Sequence, residues 1–144
     1  MSLAIDVSST VRRLLVSRAR VKAAAATALE AERVSNAMLS VTFVGRAAIS
    51  ELNQRYLGHH GATDVISFGL GQHGQTGPVV GDIYICAEIA RANAKRQGVS
   101  AQEELLRLVV HGTLHVLGYD HPPGDTRTQS PMWRKQERIV ARVI

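Results

Sequence analysis

Residues 81–121 read GDIYICAEIARANAKRQGVSAQEELLRLVVHGTLHVLGYDH. Gly81 to Cys86 is a short, apolar, isoleucine-containing run of the kind that forms a strand. Residues from Ala87 to Gln97 follow with helical spacing, and Gly98 stands where a left-handed residue commonly ends a helix. Ser100 with Glu103 three residues later is a capping box, which fixes where the next helix begins. Leu105, Leu108, Val109, Leu114 and Leu117 keep an apolar face on that helix, and Gly118 can take the left-handed conformation that closes it.

On the N-terminal side, Leu3 to Val7 alternates weakly as a first strand. Ser8, Ser9 and Thr10 offer an N-cap for a helix running to about Arg33. Asn36 to Val44 (NAMLSVTFV) has period two and ends at Gly45, a strand, and Ala47 to Leu57 fits a short helix. Thr63 to Phe68 (TDVISF) is a brief strand, and the glycine-rich residues 69–78 form a surface loop or hairpin connection. A last helix runs from about Pro131 to Val143 and carries Trp133, Ile139 and Val143 among basic residues. Strands alternate with helices, so the class is α/β or α+β. No repeat, heptad series or long linker divides the 144 residues, and one domain spanning 1–144 is expected.

Hydrophobic residues make up 45% and charged residues 20%, which excludes a disordered or low-complexity chain. Cys86, the lone cysteine, has no internal partner for a disulfide and suits a reducing compartment, here read as the cytoplasm. The start MSLAIDVSSTVRRLLV is interrupted by Asp6, Arg12 and Arg13 and lacks the apolar core of a secretory signal. The alanine-rich run from Val21 to Leu29 contains Lys22 and is too short to span a bilayer, so no membrane role is expected. The net charge is +3 over residues 1–34, −1 over 35–120 and +3 over 121–144. Such ends are compatible with a phosphate-rich partner and equally with solvated helix faces.

The chemistry sits in HGTLHVLGYDH, residues 111–121. His111 and His115 are four apart on a helix, so both imidazoles leave one face, with β-carbons about 5–6 Å apart. Gly118 turns the chain, and His121 returns as a third ligand, leaving a fourth position open for water. Three histidines on an ordinary helix end and loop are the bland alternative. Three protein ligands with an open position point to catalysis more than to a closed structural site. Against the zincin pattern H-E-x-x-H-x-x-G-x-x-H, the histidines and the turn glycine match, but Gly112 replaces the glutamate that serves as general base.

This stretch, preceded by TDVISF and GDIYIC and followed by MWRKQE, resembles the YbeY family of bacterial endoribonucleases, over about Leu52 through Glu137. The resemblance implies a single zincin-like α/β domain, with a small mixed sheet backing a central helix that carries the metal site at its end. It implies one zinc ion held by His111, His115 and His121. It further implies hydrolytic cleavage of single-stranded RNA, with maturation of the 16S rRNA 3′ end and the ribosomal small subunit as the setting. The family segment Y-R-G-K-D-x-P-T is here Tyr56-Leu57-Gly58-His59-His60-Gly61-Ala62-Thr63. Leu57 stands where the family has an arginine, and leucine cannot grip a phosphate. Arg55 and His59 are the nearby cations that could replace it in binding substrate, while His59 and His60 also read as plain polar loop.

After His121 an often acidic stretch becomes PPGDTRTQSP, a stiffer and less negative exit. Asp120 either orients a ligand or acts on metal-bound water, or else caps its loop. Met132 either lies beneath the metal or fills the core, and Cys86 reads as a small buried hydrophobe. The leading expectation is a zinc-dependent endoribonuclease. A non-catalytic, metal-containing rRNA-binding assembly factor follows from Leu57, and a zincin-type metalloprotease is opposed by Gly112.

Overall fold

The computed structural model describes residues 2–72, 74–121 and 124–144. In chain order the elements are β1 (Leu3–Ser9), α1 (Arg18–Ala31), β2 (Ala37–Val44), α2 (Arg46–Leu57), β3 (Val65–Gln72), β4 (Val79–Cys86), α3 (Ala87–Gln97) and α4 (Ala101–Val116). A 3-10 helix over Gly124–Gln129 and α5 (Pro131–Val143) complete the fold. The strands form one mixed sheet in the order β1-β2-β4-β3, parallel except for β3, which runs antiparallel to β4. Among the described residues no helix is long and apolar enough to cross a membrane.

Strand alternation divides the core. Leu39, Val41 and Phe43 of β2 and Ile83 and Ile85 of β4 are buried with the apolar stripes of α1, α4 and α5. Val44, Ile66 and Cys86 belong to a smaller cluster with Ile49 of α2. Thus α4 packs on β3 and β4 and against α1, α3 and α5. Its buried residues include Leu105, Leu106, Val109, Val110 and Leu114, and even its buried Thr113 returns its hydroxyl to Val109 O at 2.8 Å.

The first helix begins later than the sequence suggested. Parallel pairing holds the chain extended through Ser9 opposite Phe43, and Thr10 N–H donates to Phe43 O at 2.9 Å. Ser8, Ser9 and Thr10 are therefore committed to the sheet edge, and Ser17 is the N-cap, accepting from Arg20 N. The helix ends at Ala31, with Glu32 as C-cap, and Arg33 turns out of it with φ 58°. TDVISF also underestimates β3, which continues to Gln72 through an irregular register at Gly69 and leads by the glycine-rich hairpin into β4. Ser100 accepts from Glu103 N at 3.0 Å, but the Glu103 carboxylate pairs with Arg107 instead of completing the capping box.

At Gly112 α4 comes into close contact with the sheet. A β-carbon there would lie 2.7 Å from Ile83 Cγ2 and 3.0 Å from Ser67 Oγ. Ile83 is fully buried and branched at its β-carbon, so it has no easy way to yield. Alanine would gain about 1 kcal/mol of helix propensity, whereas overpacking a core typically costs about 1–3 kcal/mol. Gly112→Ala is expected to lower the urea midpoint at unchanged slope, and a stabilised variant would contradict the close approach.

Candidate metal centre

The last two turns of α4 carry His111 and His115, whose ring centroids are 4.5 Å apart. The helix then ends in a Schellman turn. Gly118 N–H donates to His115 O at 2.9 Å and Tyr119 N–H to Leu114 O at 3.1 Å, with Gly118 at φ 99°. This reversal brings the His121 ring to 5.2 Å from each of the other two. One ligand nitrogen from each histidine lies within 4.8 Å of the others, so the three can hold a metal ion.

The turn is tied down from two sides. Tyr119 Oη donates to the Glu32 carboxylate at the end of α1, and Lys135 Nζ of α5 donates to the same carboxylate at 2.8 Å. The Asp120 carboxylate accepts the His121 backbone N–H at 2.8 Å, the loop-capping role among those its position allowed.

Gln136 of α5 is buried, and its amide oxygen lies 2.6 Å from His111 Nδ1. A carbonyl oxygen only accepts, so Nδ1 carries the proton and Nε2 presents its lone pair. The Gln136 amide nitrogen donates to Glu137, which also receives Arg107 at 3.0 Å. Burial lowers the proton affinity of His111, bringing its pKa to about 4 against the opposing Gln136 bond, with the charges of His115, His121 and Arg127 adding to the fall. His115 is lowered as well, by burial first and then by His121. Both rings are thus held in the neutral form that coordinates metals, and the donor set fits zinc.

A cavity of about 350 Å³ opens over the triad and is also lined by Leu57, Asp64, Ser67 and Arg127. Ser67 Oγ is buried there and has no hydrogen-bond partner among the described residues. Position 112 points away, toward Ile83 and Ser67, so this helix offers the cavity no carboxylate at the place where a zincin keeps its base.

Arg55 lies on the exposed side of α2, paired with Glu51 at 2.7 Å, and His59 is exposed beyond the helix end. Neither lines the cavity over the histidines, whereas Leu57, 46% exposed, does. Met132 is buried in the main core and Cys86 in the smaller one. Pro122 and Pro123 of the exit segment lie outside the described residues. Gln136, Ser67 and Arg127 were not singled out from sequence. Gln136 was the most legible of them, a polar residue in the stripe of Met132, Ile139 and Val140 that α5 buries.

A family model described as Endoribonuclease YbeY matches residues 7–144. Curated relatives named Endoribonuclease YbeY include one from Staphylococcus carnosus, 45% identical over 111 residues covering 73% of this chain and 71% of that one. One from Geobacillus kaustophilus is 42% identical over 115 residues, covering 74% and 72%. Another, from Frankia alni, is 35% identical over 137 residues, covering 88% and 75%. The solution structure of a Thermotoga maritima protein matches with a TM-score of 0.63 and 29% identity, over 96% of this chain and 88% of that chain.

Two outcomes are expected. Gln136→Leu removes the acceptor that fixes the His111 tautomer and should weaken metal affinity about 10–100-fold in a competition titration with a chromophoric chelator; unchanged affinity would refute that role. In chelator, stability should fall as pH drops from 7 to 5. Unfolded histidine takes up a proton near pH 6.5, but folded His111 does so only near 4, so the unfolded state binds more protons between them. Urea midpoints at the two pH values should differ less in His111→Gln than in the native chain.

Proposed function

This chain belongs to the endoribonuclease YbeY family, and from that membership we propose that it hydrolyses single-stranded RNA with one zinc ion held by His111, His115 and His121. The observation that carries the reading is the convergence of three imidazoles on the floor of an open cavity in a chain whose relatives bear an endoribonuclease name. A divalent metal with three imidazole ligands and an open position acidifies water toward neutral pH and polarises a phosphodiester oxygen.

The chain's own groups do the rest. Burial keeps His111 and His115 unprotonated, and Gln136 fixes which nitrogen of His111 faces the metal. The basic chain ends attract the phosphate backbone. The proposed setting is ribosome biogenesis in the cytoplasm, with the 3′ end of the 16S rRNA on the small subunit as substrate and residues 1–144 acting as one domain.

Leu57 favours a second reading, RNA binding without turnover, because it presents an apolar side chain to the cavity where the family arginine is expected. Metalloprotease chemistry is disfavoured by the direction in which position 112 points. Cleavage of a labelled single-stranded RNA by zinc-loaded protein separates these readings. The nuclease reading expects activity lost on chelation, restored by zinc, and lost in His115→Ala with the circular dichroism of the fold retained. Activity that survives both chelation and His115→Ala would overturn it. Binding without cleavage would establish the second reading.

A further inference from the structure

Arg127 lines the cavity over the three histidines together with Leu57 of α2, and it also lines an adjoining cavity beside His111 with Arg96 and Trp133. Among the described residues, ion pairs engage Arg46, Arg55, Arg107 and Lys135, and none engages Arg127. Its guanidinium lies 6.0 Å from the centroid of the Trp133 ring, a contact that steadies the plane without using its N–H donors. Its main chain is fixed as well. Arg127 O accepts Ser130 N–H at 3.1 Å and Ser130 Oγ–H at 2.7 Å, while Ser130 caps α5 by accepting from Trp133 N. Arg127 is therefore held by the same residues that begin the helix supporting His111.

Leu57 leaves the cavity without a guanidinium on the α2 side. Asp64, the carboxylate in the lining, accepts Asn93 Nδ2 at 3.2 Å, and among the described residues it makes no ion pair with Arg127. We propose that Arg127 grips the phosphodiester at the metal cavity, supplying from the exit segment the guanidinium that Leu57 cannot supply from α2. The ligand is a phosphate of single-stranded RNA, held by the planar fork of Arg127. This rests on the nuclease reading only for its effect on turnover. Phosphate binding stands apart from it.

The test uses the full chain as native protein, Arg127→Ala, Arg127→Lys, and Arg127→Ala combined with Leu57→Arg. With zinc and labelled single-stranded RNA, Arg127→Ala should lower kcat/KM about 100-fold, the scale of losing one preorganised donor. Lysine should recover only part of the loss, because a point charge replaces a fork. The double variant should recover at least about tenfold over Arg127→Ala, since a guanidinium returns from α2. In metal-free protein, Arg127→Ala should bind the same RNA more weakly and with a salt slope smaller by about 0.7, the value for one phosphate contact on a single strand. Native-like binding and salt slope in Arg127→Ala overturn the proposal. A double variant no better than Arg127→Ala overturns the claim that the two positions serve one phosphate. If native protein fails to cleave, the nuclease reading falls, and the salt slope alone decides for or against the phosphate contact.

Discussion

The closeness of α4 to β4 is the constraint on which the site depends. At Gly112 the helix approaches Ile83 so nearly that no side chain fits between them. The contact sets both the height and the rotation of α4, and so the direction in which His111 and His115 leave it. The same contact denies the site a carboxylate at position 112. A rigid histidine floor and the lack of a zincin-type base thus have one origin in packing.

The third histidine is placed by a turn rather than by a helix, and polar contacts hold that turn. Glu32 receives both Tyr119 and Lys135, linking α1, the end of α4 and α5 at one carboxylate. A second chain of contacts runs from Arg107 through Glu137 and Gln136 to His111. These links connect ring positions on α4 to the placement of α5, the helix whose N-cap also anchors Arg127.

Much of this was legible in the sequence because the signals were local. The i, i+4 histidines, the turn glycine and the Ser100 cap each depend on a few consecutive residues, and each lies where its spacing implied. Ser17 was missed as the cap of α1 because pairing with β2, a contact distant in sequence, keeps Ser8 to Thr10 extended. Arg127 and Ser67 could not be joined to the histidines by spacing, since they come from the exit segment and the sheet. Arg55 and His59 are near Leu57 in sequence, but Arg55 leaves α2 on another face and His59 lies beyond the helix end, and of the three only Leu57 lines the cavity.

The account turns on three imidazoles acting together as ligands to one metal. X-ray absorption at the zinc edge of reconstituted native protein addresses that claim most directly. It should give a first shell of nitrogen and oxygen at about 2.0–2.1 Å, with imidazole scattering from three rings at one zinc per chain. A shell containing sulfur, or one with fewer than three imidazoles, would contradict it.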